Sequence, residues 1–522
     1  MAKKKIKQKS IESTIWEAAN KLRGSVEPAE YKHVVLSLIF LKYANDKFNE
    51  QRKKLLESDD KCFVELPMFY EQDNVFFIPE CARWEYLMQN AKQEDIAIKI
   101  DTALNEIEKK NSSLAGALPD NYYSRLHLGK GVIGGLLDTL NGLNLNDSED
   151  KDVFGRVYEY CLKKFAISEG KGKGEFYTPK TVVELLCELI EPYKGIIYDG
   201  ACGSGGMFVQ SAQFIKNHKG NTKEISVYGQ EKTDATRRLA MMNLALRGIS
   251  ANFGEMADST FTNDMHKDLK ADFVLMNPPF NLKAWRDENE LLTDERWAGY
   301  DTPAVSNANY AWLLNMDAKL KKTGVGAMIL ANGAIGSTDT IEASIRKQMI
   351  ENDLVEAIIV LPRDMFYATD ISVTVWVINK DKSAKTIEKN GEIVNLRDRT
   401  GEILFIDYRQ GGHINEEKYM ELNADDRAKI ADTYHQWQRV NGTYSDIPEY
   451  CYSAKKNEIS KKNYTLLPSK YIEFVDHDLD IDYENEMKRI QGEMKIVVSE
   501  EQDSQKMLIE AFGGIGYGIK EV

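Results

Sequence analysis

Apolar residues recur at helical spacing through the first part of the chain, then give way to short β-branched runs. From residue 11 to about 56 the pattern predicts two helices. Trp16, Ala19 and Leu22 share one face of the first, and Val34, Leu38 and Leu41 one face of the second. Gly24-Ser25 and Pro28 separate them. Mixed helix and loop continues to about 145, with a further helix over 95–109, and the polar, acidic stretch 146–152 reads as a linker. Beyond it, apolar runs at 195–198, 224–228, 273–276, 326–330, 355–360 and 373–378 alternate with helical patterns at 180–190, 233–247, 310–321 and 341–351. Such alternation predicts a mostly parallel α/β sheet covered by helices on both faces, with ligands at the carboxyl ends of its strands. After 381 the order weakens to a strand at 403–406, helices at 424–440 and 483–496, and a glycine-rich, mobile tail at 513–518. The fold class expected is therefore α/β in three parts: a helical N-terminal domain over 1–145, a Rossmann-like catalytic domain over 150–380 and a mixed, helix-containing C-terminal region over 381–522.

Composition narrows this only in places. A chain of 522 residues exceeds one compact core, and 43% apolar with 29% charged residues is ordinary for a globular protein. No apolar stretch near the start is long enough to span a membrane, and the five lysines in the first ten residues precede no apolar region, so they are no secretory signal and read as a solvated tail, with a basic arm that touches phosphate as the alternative. The six cysteines form no C-x-x-C pair, which points to a reducing, cytoplasmic compartment without a disulfide framework or zinc site. The seven histidines are scattered, read as structural, and no metal is expected. Charge is more informative. With a formal net charge of −14, the chain lacks the basic footprint of a protein that grips nucleic acid alone, so a partner would supply part of any such grip.

Candidate chemistry falls on the strand ends. Tyr198-Asp199-Gly200-Ala201-Cys202-Gly203-Ser204-Gly205-Gly206 follows a strand and precedes a helix. Its glycines permit a tight turn and close approach of backbone N–H groups to a pyrophosphate, a carboxylate or a nucleoside. A plain glycine-rich turn would look the same. Glu231 follows the next strand and is placed to accept both hydroxyls of a ribose, and Asp258, one segment later, could accept from an adenine amino group. Singly, each acid reads as a solvated surface group; their order raises the odds. Two decoys fail on detail. Residues 170–174 lack the G-K-[ST] of a phosphate loop, and Asp476, Asp478 and Asp480 lack the glycine and glutamate of a calcium loop. The strand Asp272-Phe273-Val274-Leu275-Met276 runs into Asn277-Pro278-Pro279-Phe280. Two prolines fix the backbone there. The Asn277 side-chain oxygen and the Pro278 carbonyl can accept the two hydrogens of an amino group whose lone pair is otherwise delocalised into a ring. That favours a pyramidal, nucleophilic nitrogen and stabilises the charge it develops. Phe280 offers a face for a base to stack on. A rigid turn is the bland alternative.

These residues resemble the gamma class of adenine amino-methyltransferases: Gly174-Glu175-Phe176-Tyr177-Thr178-Pro179, then the 199–206 loop, then Asn-Pro-Pro-Phe. Over nearly its full length the chain resembles the modification subunit of type I restriction–modification systems, through Leu22-Arg23-Gly24, Leu38-Ile39-Phe40-Leu41-Lys42-Tyr43, Met241-Met242-Asn243-Leu244, Arg247-Gly248-Ile249 and Ser469-Lys470-Tyr471. The resemblance implies S-adenosylmethionine as cofactor. It places Glu175, Phe176, Tyr177, Thr178, Pro179 and Lys180 at the methionine end, Asp199 with Cys202, Gly203, Ser204 and Gly205 on the amino-acid part, Glu231 on the ribose and Asp258, with the loosest match, near the adenine. Gly200 departs from the proline usual after the acid. The implied substrate is a flipped adenine in double-stranded DNA. The implied partners are a specificity subunit that chooses the site, a second modification subunit and, in some assemblies, a restriction subunit. Alternatives are a self-sufficient adenine methyltransferase, an enzyme acting on a glutamine amide or an RNA base, and a cofactor-binding scaffold without activity.

Overall fold

The computed structural model describes residues 11–20, 28–143, 153–169, 177–367, 369–475 and 482–514. Outside these fall Gly24-Ser25, the linker 146–152, the decoys at 170–174 and 476–480, Glu175, Phe176 and the end of the glycine-rich tail. The chain divides into two compact units, 1–472 and 473–522.

In the first unit, helices Ile11–Asn20, Pro28–Leu56, Ile96–Lys110, Lys130–Asn141 and Val153–Glu169 share one core that buries Leu38, Phe40, Leu104, Leu137 and Phe165. The expectation of a one-faced second helix needs correction. Every residue from Val34 to Leu41 is buried, as in a helix surrounded by others. Ser37 is tolerated there because its hydroxyl bonds back to the His33 carbonyl and meets the Tyr123 hydroxyl at 2.8 Å.

Thirteen strands follow among the described residues: β1 (Gly195–Asp199), β2 (Ile225–Gly229), β3 (Ala251–Asn252), β4 (Ala271–Met276), β5 (Leu320–Ala331), β6 (Val355–Val360), β7 (Val373–Asn379), β8 (Lys385–Lys389), β9 (Glu392–Leu396), β10 (Glu402–Asp407), β11 (His413–Ile414), β12 (Met420–Glu421) and β13 (Cys451–Lys455). Nine form one sheet in the order β13-β10-β6-β7-β5-β4-β1-β2-β3, and β8–β9 and β11–β12 are separate two-stranded pairs. From β3 to β5 all neighbours are parallel; β7 runs antiparallel to β5 and β6, and β13 to β10. Alternate residues of β4 enter opposite cores: Leu275 packs with Val183, Leu186 and Phe208, while Val274 and Met276 pack with Tyr310, Leu313 and Met316. Both faces being covered is why the central strands read as continuous apolar runs.

β5 begins at Leu320, six positions before the apolar run expected at 326. Lys321 and Lys322 look like the end of a helix, but the strand resumes pairing with Ala271 across an irregularity. Gly324 makes this fit: a Cβ there would sit 2.9 Å from the Ala271 carbonyl oxygen.

Candidate active site

Strand order reverses between β1 and β4. The chain leaving β1 builds outward through β2 and β3, and the chain leaving β4 builds the other way through β5. A crevice at the carboxyl ends of two such strands is the usual ligand site of an open α/β sheet. β1 ends at Asp199 and β4 runs into Asn277.

The loop after β1 is held from the next strand. Gln230 N–H donates to the Asp199 carbonyl at 3.0 Å, and Cys202 N–H to the Gln230 carbonyl at 3.1 Å. Gly203, at φ 53°, turns its N–H onto the Glu231 carboxylate at 3.0 Å. Gly205, at φ 80°, precedes the helix Gly206–Asn217, and a Cβ there would lie 3.2 Å from Leu244 Cδ1. Gly200 has its own reason: a Cβ would meet the Tyr198 hydroxyl at 2.8 Å and Thr260 Cγ2 at 3.1 Å. Asp199 is 1% exposed, and one of its oxygens accepts the Ala201 N–H at 2.9 Å. Burial, reinforced by Glu231, pushes its carboxyl up to about 8. Burial also holds the Cys202 thiol well above its usual range. Among the described residues no Lys or Arg pairs with Asp199.

Asn277 is 8% exposed. Its Nδ2 donates to Thr178 Oγ1 at 2.7 Å, which joins the 177–180 segment to β4. Its Oδ1 is buried and has no hydrogen-bond partner among the described residues. An orphaned buried acceptor is costly, and this one belongs to the residue that follows the carboxyl end of β4, where an amino group would satisfy it. Pro278 is buried, and Phe280 is half-buried and edge-on to Phe366 at 5.8 Å. Tyr177 stacks on Tyr367 at 6.1 Å. Pro179 opens the helix Lys180–Ile190, and the Lys180 ammonium lies 3.9 Å from Glu159 and from Glu184. Asp258 is tied to the site by its backbone, its N–H donating to the Glu231 carbonyl at 3.1 Å. Its carboxylate accepts from Asn263 Nδ2 at 2.8 Å and Ser259 N–H at 2.7 Å, bonds that lower its pKa.

Three residues reach this site without a role in it having been read from the sequence, Asn243 having figured only within the segment 241–244 that carries the resemblance. Asn243 Nδ2 donates to the Ser204 carbonyl at 2.8 Å from the helix Asp234–Ala245. One side of that helix gives Leu239 and Met242 to the helical core, the other Ala240 and Leu244 to the sheet core. An Asn among buried apolar positions was the available signal. Phe366 and Tyr367 arrive from the loop between β6 and β7, and nothing local marks that loop as near Asn277.

Comparison with known proteins agrees with this geometry. Residues 149–479 match the family model described as N-6 DNA Methylase, and residues 11–132 the HsdM N-terminal domain. The chain is 37% identical over 463 residues, 84% of its length, to all of the type I restriction enzyme HindI methylase subunit of Haemophilus influenzae. It is 31% identical to the MjaIX methylase subunit of Methanocaldococcus jannaschii, across 97% of this chain and 92% of that one. A crystal structure of a type I restriction-modification methyltransferase subunit from Streptococcus thermophilus superposes with a TM-score of 0.71 at 21% identity, covering 89% of this chain and 99% of the other. Fold and sequence similarity agree: the chain belongs to the N-6 DNA methylase family.

Proposed function

We propose that this chain is the modification subunit of a type I restriction–modification complex and methylates the exocyclic amino group of a flipped adenine, with Asn277–Phe280 as the reacting segment. The carrying observation is the buried Oδ1 of Asn277, unpartnered among the described residues and fixed by Thr178 at the strand-order reversal. S-adenosylmethionine is the cofactor and supplies an electrophilic methyl group on a sulfonium. The residues present fit it: Asp199 is buried and among the described residues makes no ion pair, the space beside Gly203 is open, and Glu231 follows β2 with its carboxylate on the Gly203 N–H. Asp199 with Cys202–Gly205 would hold the amino-acid part, Glu231 the ribose and Asp258 the adenine side, while Thr178 and its neighbours border the methionine end.

Asn277 Oδ1 and the Pro278 carbonyl accept the two N–H hydrogens of the target amino group. The prolines keep the acceptors fixed as the nitrogen pyramidalises, and the same dipoles stabilise its developing positive charge. Phe280 stacks on the extruded base. Neither Asn nor Pro is a base at neutral pH, so the proton leaves to water after transfer.

Specific partners follow the same reading: DNA, a specificity subunit that selects the sequence, a second copy of this chain and, in a nuclease assembly, a restriction subunit. A helical domain over 1–145, a catalytic domain over 150–380 whose sheet is extended by β10 and β13 of the following region, and an assembly role for the rest of 381–522 are the proposed division of labour. The two relatives described above match along most of their length and are named as methylase subunits, which favours this over an enzyme that reads its own site. Among the described residues no helix is long and apolar enough to cross a membrane. Mapping N6-methyladenine in a host that expresses this chain with and without its specificity subunit tests the reading. Methylation at one defined motif is expected only with the partner; site-specific methylation by the chain alone would sink the divided scheme.

A further inference from the structure

The chain leaving Phe280 forms a closed loop, 281–308, before the helix Asn309–Lys319. Its two arms are zipped together. Ala284 N–H donates to the Val305 carbonyl at 2.9 Å, Trp285 Nε1 to the Ala304 carbonyl at 2.8 Å, and Ala308 N–H to the Leu282 carbonyl at 3.0 Å. At the neck stand Asn281 and Asn309. Asn281, directly after Phe280, sits in left-handed backbone at φ 52°. Its N–H donates to Asn309 Oδ1 at 2.9 Å, and Asn309 Nδ2 donates back to Asn281 Oδ1 at 2.8 Å. Asn309 is 1% exposed, and its own N–H donates to Asn307 Oδ1 at 3.1 Å. The helix it opens is buried along nearly all its length, with Tyr310, Leu313 and Met316 against the sheet. The reciprocal amide pair is thus fastened to a rigid element.

The tetrapeptide therefore spans two fixed ends. On one side Met276 is paired with Met328 in the sheet; on the other Asn281 is clamped to Asn309. Two prolines remove most of the freedom between them, and Thr178 holds the Asn277 side chain. Without Asn309, the Asn281 N–H and Oδ1 lose their partners at a residue already in a conformation that few side chains adopt. The backbone carrying Phe280 and Pro278 is then free to shift.

We propose that Asn309 is a positioning residue for methyl transfer: through its amide pair with Asn281 it sets the Pro278 carbonyl and the Phe280 ring against the target base. The proposal rests on reading Asn277–Phe280 as the adenine-binding segment. Asn309 hydrogen-bonds to Asn281 and Asn307 and, among the described residues, not to the cofactor loop, so its effect belongs to the base and not to cofactor binding.

The test uses the full chain assembled with its specificity subunit, a cognate duplex with adenine at the target position for turnover, and a second duplex with 2-aminopurine there, which lacks the 6-amino group and reports only the position of the base. Asn309→Leu is expected to lower kcat on the order of tenfold to a hundredfold, as for a displacement of about 1 Å at a reacting centre, and to leave cofactor Kd within about twofold. The 2-aminopurine fluorescence of the bound complex should change with it, because the flipped base loses its stacking partner. Asn309→Asp should restore both readouts. Its carboxylate still accepts the Asn281 N–H and, with the Asn281 amide turned over, its Nδ2. Wild-type kcat in Asn309→Leu, equal losses in the Leu and Asp variants, or a parallel loss of cofactor binding would each overturn the proposal. Should Asn309→Leu fail to fold, Asn281→Gly and Asn281→Ala carry the test. Glycine keeps φ 52° and the backbone bond at no steric cost, so it should outperform alanine, and equal activity would overturn the clamp. Asn277→Ala run alongside separates the two levels: if it remains active, the adenine-binding reading itself fails, whatever Asn309 does.

Discussion

Asp199 combines burial with a neighbouring carboxylate, and its pKa stands at about 8 against 3.8 for the unperturbed group. The folded chain thus holds this proton more tightly than the unfolded chain does. Its contribution to stability is fully present below about pH 4 and is lost as pH rises toward about 8. A ligand ammonium beside Asp199 reverses the preference, since an opposite charge favours the ionised form. Binding of S-adenosylmethionine near pH 7 is therefore expected to release a fraction of a proton, and affinity to rise with pH up to about 8. Calorimetry in buffers of different protonation enthalpy reads this directly; identical heats in all buffers would contradict it, and Asp199→Asn should abolish the effect. Glu231 acts otherwise. It anchors the Gly203 and Thr233 N–H groups, both at 3.0 Å, while facing the proposed ribose. Loss of one charge-assisted bond in Glu231→Gln should weaken cofactor binding by about 1.5–3 kcal/mol, roughly tenfold to a hundredfold in Kd, measurable by the same titration.

The turn from β1 into the helix Gly206–Asn217 shows how elements place these groups. Gly203 and Gly205 both have positive φ, but only Gly205 faces a packed neighbour, Leu244. Gly203→Ala should therefore cost about 1–2 kcal/mol in urea denaturation from backbone strain alone. Gly205→Ala should cost more, and the reverse ranking would contradict the packing. Most of this architecture was legible. β6 and β7 are buried on every residue, so their apolar runs stand out in the sequence. The tetrapeptide and the glycine loop were visible because each chemistry is packed into contiguous residues. β13 was missed because it is an edge strand of mixed polarity, with Tyr452 and Ser453 only half-buried. The Asn281–Asn309 pair was invisible for another reason: it joins positions 28 apart through a loop with no periodicity. Asp258 shows the converse, an acid whose spacing looked right but whose carboxylate serves its own loop as well.

On the scale of the whole molecule, a net charge of −14 sits badly with unaided DNA binding, because phosphate neutralisation supplies much of the affinity. The second unit is consistent with an assembly role. The helix Tyr483–Gly514, expected only to 496, continues for 32 residues, about 48 Å at 1.5 Å per residue. It exposes Met487, Ile490, Met494, Ile496, Val497, Val498, Met507 and Leu508. Deleting 473–522 should preserve cofactor binding and abolish co-purification with the specificity subunit; a truncated chain that still assembles would refute that role. The site chemistry itself is tested most directly by single-turnover methyl transfer to a cognate duplex by the assembled enzyme, comparing Asn277→Ala with the native chain at saturating cofactor. The expected result is a rate lowered on the order of a hundredfold to a thousandfold at unchanged cofactor Kd, as for removal of one preorganised charge-stabilising group. Transfer at the native rate would contradict the assignment of Asn277.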